Sequence, residues 1–385
     1  MIRHSMKTFF AALLAGWAAL LAATGTALPA EFQTAAKQLI IMDYATGAEL
    51  FAKNADEIME PASMTKLMTV YMMFERLKNG SLSLTDTFLV SENAWRKQGS
   101  KMFVPVGGRV AIEDLIRGIV VQSGNDASIV VAEGLAGSEE AFAQQMTETA
   151  RRLGMMNTVF KNASGWPDPG HHTTARDLAI LAAATIRDFP NFYAYYAEES
   201  FIYNKIKQGN RNPLLYKNTG ADGLKTGHTE AAGYGLTASA QRGDMRLILV
   251  AHGMGSMRER AAESNRLLDW AFREFNSYPL FKGGEKVADA PVWLGDAETV
   301  PLTLEQDLTA VLKRSGRKDM KVTVAMEEPI AAPIKKGAPV GKLVVTAPDM
   351  KPVERPLLAA ADVGPLGMVG RFKAAIGYLV WGGGK

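Results

Sequence analysis

The sequence contains no cysteine among its 385 residues. Disulfide bonds, thiolate nucleophiles and thiolate metal ligands are therefore excluded. Histidine is also scarce, and none of the histidines belongs to a paired metal-ligand motif such as His-Glu-x-x-His. The five are His4, His171, His172, His228 and His252. The sequence thus predicts no metal site and no other cofactor.

A strong excess of charge of either sign is lacking as well. The chain has 43 Lys and Arg against 40 Asp and Glu, a formal net charge of +3. Removal of an N-terminal segment with Arg3 and Lys7 would lower the charge to +1. Nucleic-acid-binding domains carry a clustered basic excess. We therefore expect no nucleic-acid partner.

The apolar run near the N-terminus is short for a membrane span, which needs about 20 residues. Residues 1–30 instead resemble a secretory signal peptide, with Arg3 and Lys7 before the apolar stretch Phe9–Ala23 and small residues near Ala27 and Ala30. An uncleaved anchor is the alternative interpretation. The pattern favours export to the periplasm or another extracytoplasmic space. Because the chain has no cysteine, attachment of a lipid to an N-terminal cysteine is excluded.

Alternating helical and strand patterns predict an α+β domain over residues 31–280. A hairpin is expected over 36–53 and strands over 224–227, 234–240 and 245–251. Helices are expected from Pro61, in two pieces over 111–137, after Thr174 with Asp177 in its first turn, and over 258–275. This order predicts one antiparallel sheet, closed by both ends of the domain, with a helical region inserted.

Residues 281–362 contain short Val-rich runs separated by Gly, Pro and Asp, which predict a small all-β domain without catalytic residues. A different pattern follows over residues 363–385. Its apolar residues share one half of a helical wheel: Leu366, Met368, Val369, Phe372, Ile376, Leu379 and Val380. A Gly-rich helix is intrinsically weak and needs a surface to fold upon. A membrane interface is one such surface; packing on the protein itself, or disorder, is the alternative.

The first chemical motif is Ser63-Met64-Thr65-Lys66, at the start of a predicted amphipathic helix. Residues three apart share a helix face, with Cβ atoms about 5–6 Å apart, so Lys66 can reach the Ser63 hydroxyl. A lysine acts as a base only when its pKa is lowered by burial or by another cation. The motif alone is weak, because Ser315 and Lys318 repeat the spacing in a polar, turn-like stretch.

Two further motifs accompany the first. Ser123-Gly124-Asn125 lies between two predicted helices, and Lys225-Thr226-Gly227 ends a predicted strand. The Lys-Thr-Gly motif offers a cation and a hydroxyl that could bind a carboxylate, and a glycine that lets a ligand backbone approach closely. Each alone is typical of a turn or a strand edge. The three in this order, about 60 and 100 residues apart, indicate one enzymatic site.

These motifs resemble those of the penicillin-binding protein and serine β-lactamase superfamily, and more narrowly the low-molecular-mass, serine-type D-alanyl-D-alanine carboxypeptidases. The resemblance covers nearly the whole chain. It is carried by residues 61–66, 122–127 and 222–229, continued by Ala232-Gly233-Tyr234. It implies a transpeptidase/β-lactamase-like domain, an antiparallel sheet with a helical region, followed by a small all-β domain and a C-terminal amphipathic helix.

The resemblance also implies catalytic roles. Ser63 would be the acylated nucleophile and Lys66 its base. Ser123 would relay a proton to the leaving D-alanine, and Asn125 would hold the substrate amide. The substrates would be the stem peptides of peptidoglycan, with β-lactam antibiotics as covalent inhibitors and the inner-membrane surface as the partner of the tail.

For substrate binding, the resemblance implies that Lys225 and Thr226 hold the C-terminal carboxylate, beside Gly227. The backbone N–H groups of His228 and of the nucleophile would form the oxyanion hole. Arg260 aligns less firmly with an arginine that assists carboxylate recognition; a solvated helix residue is the alternative.

Four alternative functions remain open. The same acyl-serine could serve a transpeptidase or a DD-endopeptidase. A class A β-lactamase would carry Ser-Asp-Asn at the second motif and a glutamate in the loop before the Thr174 helix, whereas this chain has Gly124 and no glutamate between Asn162 and Thr174. Gly165 and Trp166 in that loop are expected to shape the site. A scaffold would lack catalytic residues, so that role could only be additional.

Overall fold

The computed structural model describes residues 33–372, so the signal segment and residues 373–385 of the tail lie outside the described part. Residues from Ala36 onward form one compact unit. Its first part holds the following elements: β1 Gln38–Asp43, β2 Glu49–Lys53, a 3-10 helix Ala62–Thr65, α1 Lys66–Lys78, β3 Thr87–Leu89, α2 Glu92–Arg96, β4 Arg109–Ala111, α3 Ile112–Val120, α4 Asn125–Ala136, α5 Glu139–Leu153 and α6 Ala175–Asp188. The sequence continues with β5 Ser200–Tyr203, β6 Ile206–Gly209, β7 Ala221–Thr229, β8 Gly233–Arg242, β9 Met245–Met254 and α7 Met257–Glu274.

Five strands form the antiparallel sheet of this first part, in the order β2-β1-β9-β8-β7. Leu39 of β1 lies opposite Ala251 of β9, and Ala238 of β8 lies opposite Leu249. The two ends of the domain therefore meet in one sheet, and the helices lie between them in sequence. The predicted arrangement is confirmed.

Helix starts follow the capping chemistry expected from sequence. The side chain of Thr174 accepts a hydrogen bond from the N–H of Asp177 at 3.0 Å, and Ser256 caps α7 in the same way. Such caps satisfy N–H groups that lack a partner within the helix. Helix α1 is buried along most of its length, with Leu67 and Phe74 fully enclosed by the core. The predicted helix after Thr174 is confirmed.

Two local features differ from the prediction. Ser63 lies in the 3-10 helix, and the α-helix begins only at Lys66. Strand β7 continues to Thr229, so the Lys-Thr-Gly motif lies inside a strand and does not end one. Gly223 and Gly227 weaken the strand pattern in the sequence. Pairing along the length of β7 with β8 extends the strand regardless.

The β-rich part begins with β10 Phe275–Phe281, directly after α7, and contains β11 Lys286–Trp293, β12 Thr299–Thr303, β13 Leu308–Lys313, β14 Lys321–Ala325, β15 Ile330–Ala331, β16 Pro339–Thr346 and β17 Val353–Ala359. Six of these strands form a sheet in the order β14-β16-β17-β12-β11-β15, and β10 pairs with β13. Its core is apolar and includes Val300, Leu302 and Leu357. The predicted fold class is confirmed; the boundaries at 281 and 362 stay predictions. Within residues 33–372, no helix is long and apolar enough to cross a bilayer.

Candidate active site

The turn that carries Ser63 is held tightly by its own backbone. The N–H of Met64 donates to the carbonyl of Pro61 at 3.1 Å, and Ala62 has a φ of +47°. A positive φ at a non-glycine residue is uncommon and strained. Met64 and Thr65 point into the core, whereas Ser63 lines a cavity.

The amine of Lys66 lies directly behind Ser63. Its Nζ is 2.9 Å from Ser63 Oγ, 2.8 Å from Asn125 Oδ1 and 2.6 Å from the carbonyl oxygen of Ser164. Burial, helped by the positive charge of Arg211, lowers the pKa of Lys66 to about 7. A neutral amine has two N–H groups for the two carbonyl-type oxygens. Its lone pair is then free to accept the proton of the Ser63 hydroxyl.

Ser123 and Asn125 reach the same cavity from the start of α4. Ser123 has a φ of +65°, and its buried Oγ has no hydrogen-bond partner among residues 33–372. Asn125 Nδ2 donates to the carbonyl of Gln98 at 2.8 Å. The buried carboxylate of Asp126 accepts the N–H of Met102 at 2.9 Å. These bonds hold the segment between α2 and β4 against the site. The hydroxyl of Ser123 is left without a partner among the described residues.

Strand β7 supplies the opposite wall. Lys225 and Thr226 are buried, and Lys225 Nζ donates to the carbonyl of Thr226 at 3.1 Å. Burial, with the nearby charge of Lys66, lowers the pKa of Lys225 well below its usual value. A Cβ on Gly227 would lie 2.8 Å from the carbonyl oxygen of Pro61. Only glycine lets this strand lie against the nucleophile turn.

Arg260 reaches the cavity from α7. Only 6% of its surface is exposed, and its guanidinium carbon lies 5.8 Å from the centre of the Tyr234 ring. Tyr234 in turn stacks on His228, with ring centres 3.9 Å apart. Burial lowers the pKa of Arg260 to about 10, and its Nε has no hydrogen-bond partner in the described part of the chain. The solvated-helix interpretation of Arg260 is therefore wrong.

These walls enclose a cavity of about 660 Å³. The predicted residues that line it are Ser63, Ser123, Asn125, Thr226, Gly227, His228 and Arg260, while Lys66 and Lys225 lie buried behind the surface. None of the described residues lining the cavity is a carboxylate, and Arg211 adds a second arginine. A cavity with cations and free hydroxyls, and without lining acids, suits an anionic substrate.

Sequence reasoning missed the contribution of Ser164, because a backbone carbonyl carries no residue signature. Asn162 Oδ1 accepts the N–H of Gly165 at 2.8 Å and that of Trp166 at 3.0 Å. These two hydrogen bonds hold the loop in a compact turn. Gly165 has a φ of +75°, and a Cβ there would lie 1.8 Å from the carbonyl oxygen of Ala62. The loop can hold the carbonyl of Ser164 on Lys66 only because Gly165 packs so closely.

Arg211 is the other residue that the sequence did not reveal. It precedes β7 in an irregular segment without a motif, and its Nη1 donates to Ser100 Oγ at 2.6 Å. Only the fold brings it to the cavity.

Metal ligation is not indicated by the described residues: no group of three or more His, Asp or Glu side chains could hold an ion among residues 33–372. The buried His171 is instead engaged with Thr65 and with the N–H of Lys161.

Comparison with known proteins decides the family. Residues 23–256 match the family described as D-alanyl-D-alanine carboxypeptidase, and residues 275–365 match the C-terminal domain of penicillin-binding protein 5. The chain belongs to the D-alanyl-D-alanine carboxypeptidases. The resemblance inferred from the three motifs is confirmed, and the chain is a serine-type D-Ala-D-Ala carboxypeptidase.

Individual relatives and solved structures match most of the chain. D-alanyl-D-alanine carboxypeptidase DacC of Escherichia coli is 41% identical over 344 residues, which cover 87% of this chain and 86% of that protein. The crystal structure of penicillin-binding protein 5 from Haemophilus influenzae superposes with a TM-score of 0.80 at 37% identity, covering 88% of this chain and all of that one. Penicillin-binding protein D2 from Listeria monocytogenes, in an ampicillin-bound form, superposes with a TM-score of 0.58 at 28% identity, covering 63% of this chain and 100% of that one.

Proposed function

We propose that this carboxypeptidase removes the terminal D-alanine from peptidoglycan stem pentapeptides through an acyl intermediate on Ser63. One observation carries the proposal. A fully buried lysine amine with a pKa of about 7 lies 2.9 Å from a serine hydroxyl that opens into an acid-free cavity.

In the acylation step, Ser63 Oγ attacks the carbonyl carbon between the two D-alanines while its proton passes to Lys66 Nζ. The backbone N–H groups of Ser63 and His228 stabilise the oxyanion of the tetrahedral intermediate. The lone pair geometry at Lys66 supports this assignment, since Asn125 and Ser164 take up both N–H groups of the neutral amine.

Collapse of the intermediate breaks the C–N bond, and the leaving D-alanine nitrogen needs a proton. We assign its delivery to Ser123 Oγ, which passes on its own proton and regains one from the protonated Lys66, because this hydroxyl lines the cavity and no described residue competes for it. Asn125 is assigned to the substrate amide. Water then attacks the acyl-serine and gives its proton to the neutral Lys66. The bond between the acyl carbon and Ser63 Oγ breaks, Ser63 Oγ takes that proton, and the shortened peptide is released.

The C-terminal carboxylate of the substrate is assigned to Lys225, Thr226 and Arg260. Thr226 and Arg260 line the cavity, and Arg260 retains an Nε–H without a partner in the described residues. Gly227 keeps the wall flat enough for the peptide backbone. Carboxylates bind most strongly to charge-assisted donors of this kind.

β-Lactams are assigned as covalent inhibitors of the same serine. The loop between Asn162 and Thr174 contains no glutamate, and Lys66 bonds a backbone carbonyl of that loop. Without a carboxylate to activate water, the penicilloyl-serine should hydrolyse slowly. The ampicillin-bound state of the Listeria relative supports this assignment.

Labelling with a fluorescent penicillin tests the nucleophile. Ser63→Ala should abolish the label, whereas Ser315→Ala, which alters the second Ser-x-x-Lys sequence, should leave it intact. Release of D-alanine from a stem pentapeptide should follow the same pattern. The assignment would be refuted if the Ser315 variant lost both the penicillin label and D-alanine release. It would also be refuted if the Ser63 variant retained both.

Two parallel assays separate the alternative functions. Cleavage of cross-linked muropeptides faster than pentapeptide trimming would favour a DD-endopeptidase. Rapid turnover of penicillin without accumulation of labelled protein would favour a β-lactamase-like hydrolase.

We further propose that residues 1–30 direct export to the periplasm and that the tail, residues 363–385, lies on the inner-membrane surface. Residues 368–372 are helical, and Met368, Val369 and Phe372 are exposed by 90%, 73% and 68%. Large apolar side chains so exposed need a partner surface. Equal membrane partitioning with and without residues 365–385 would refute the attachment.

A further inference from the structure

An exposed tryptophan lies in the β-rich part, far in sequence from the catalytic residues. Trp293 ends β11 and is 54% exposed. Its carbonyl accepts the N–H of Ala332 at 3.0 Å, and its strand pairs with the short edge strand β15. Its indole lies beside the edge strand β15, and more than half of its surface faces solvent.

The tail leaves the β-rich part next to this tryptophan. The N–H of Leu366 donates to the carbonyl of Leu294 at 2.8 Å, and Gly295 forms a bridge with Pro365. The helical residues 368–372 follow directly. Trp293 is therefore one residue away from the point where the tail is tied to the sheet.

Basic residues lie near the same point, because Ile334 forms a bridge with Val363 and the N–H of Lys336 donates to Asp362. Lys335, Lys336 and Arg371 are exposed, and none of them forms an ion pair within the described part of the chain. Two nearby carboxylates are occupied by backbone donors: Asp296 accepts the N–H of Gly364 at 2.8 Å, and Asp362 accepts that of Lys336 at 2.8 Å. Asp296 and Asp362 keep their negative charges, but Lys335, Lys336 and Arg371 outnumber them, so this point carries a positive excess.

We propose that Trp293, with Lys335 and Lys336, forms a second contact with an anionic bilayer surface beside the tail. The inference rests on the proposed attachment of the tail. Tryptophan prefers the headgroup level of a bilayer, and lysines near the surface are attracted by anionic lipids. Two contacts joined by the Leu294–Leu366 hydrogen bond would fix the orientation of the β-rich part, which a flexible single anchor would not.

The absence of native cysteine allows a site-specific test in the full mature chain. Three variants each carry one cysteine labelled with an environment-sensitive fluorophore: Trp293→Cys, Phe372→Cys on the tail, and Trp95→Cys as a matched control. Trp95 is 44% exposed but lies in α2 of the first part. Fluorescent-penicillin labelling verifies that each variant is folded.

With vesicles of phosphatidylcholine and phosphatidylglycerol, the emission at positions 293 and 372 should shift to the blue, while position 95 should not change. A shift at 372 with position 293 behaving like position 95 overturns the second contact and leaves the tail attachment standing. Absence of a shift at 372 overturns the attachment itself, and the second contact with it.

Partitioning of unlabelled protein gives an independent measure. Trp293→Ala should weaken vesicle binding several-fold, whereas Trp95→Ala should leave it unchanged. The Lys335→Gln, Lys336→Gln double variant should weaken binding to anionic vesicles but not to neutral ones. Equal binding of the Trp293 and Trp95 variants would contradict the proposal.

Discussion

At the scale of single residues, the chemistry depends on the protonation of Lys66. Its amine is fully buried, and the pKa of about 7 follows mainly from that burial. The base must be neutral, so activity requires a pH above this pKa. Arg211 assists because a second cation opposes protonation. The sequence identified the lysine but could not reveal how completely it is enclosed.

The rate of acylation by penicillin should therefore fall about tenfold per pH unit below pH 7 and level off above it. Lys66→Arg keeps the charge but cannot become neutral, and should lower the rate about 10²–10⁴-fold. Stopped-flow measurement of labelling between pH 5 and 9 checks both. A rate independent of pH between 5 and 7 would remove Lys66 as the base.

His171 is buried and contacts the nucleophile turn through the side chain of Thr65. The N–H of Lys161 donates to its Nδ1 at 3.1 Å, so the proton of the neutral ring sits on Nε2 and is donated to Thr65 Oγ1 at 2.8 Å. His171→Ala leaves buried polar groups unpaired and should lower the free energy of unfolding by about 1–3 kcal/mol. The neighbouring His172 is only half-buried, so His172→Ala should change it by less than about 0.5 kcal/mol. Urea unfolding distinguishes the two, and equal losses would contradict the role of His171.

At the scale of elements, close contact between the nucleophile turn and the Asn162–Trp166 loop controls the site. Gly165 and Gly170 both have positive φ, but only at Gly165 would a Cβ collide with backbone, 1.8 Å from the Ala62 carbonyl oxygen. At Gly170 the nearest atom is the flexible Lys161 Cε at 3.4 Å. Gly165 is therefore required both by its positive φ and by the lack of space for a Cβ, whereas Gly170 is favoured by its positive φ alone.

Gly165→Ala should displace the loop from Lys66 and lower the acylation rate by at least about tenfold, the effect of a small misplacement of catalytic groups. Gly170→Ala carries the same φ strain and should cost about 1 kcal/mol of stability with little change in rate. Penicillin labelling kinetics and urea unfolding of both variants provide the comparison. Similar kinetics for the two would show that the loop contact does not govern Lys66.

At the scale of the whole molecule, stability should depend on buried histidines. Burial lowers the pKa of both His171 and His252 to about 4. In the unfolded chain these groups titrate near 6.5. Between pH 6.5 and 4 the unfolded state thus binds more protons, so the stability supplied by the neutral rings is lost as the pH falls through this window.

The free energy of unfolding should decrease from pH 6.5 to 4 by up to about 1.4 kcal/mol per pH unit for each of these two histidines. Urea unfolding at several pH values measures the slope. In His171→Gln, which cannot titrate, the slope should be smaller than in the unmodified chain. An unchanged slope would mean that His171 does not contribute.

The sequence by itself determined the fold class, the antiparallel sheet and the pairing of Ser63 with Lys66. Those features depend on local spacing, capping residues such as Thr174, and apolar periodicity, which short stretches of chain encode. The predicted end of β7 at Gly227 is wrong, because this glycine weakens the local strand pattern whereas pairing with β8 extends the strand to Thr229.

Only the tertiary structure decided which groups surround the base. Ser164 lies 98 residues from Lys66 along the chain, yet its carbonyl is 2.6 Å from the amine. Likewise, only the fold places Arg211 at the cavity and the exposed Trp293 beside the start of the tail. The physical reason is that burial, charge proximity and shared edges arise from contacts between distant segments, which no local pattern of residues records.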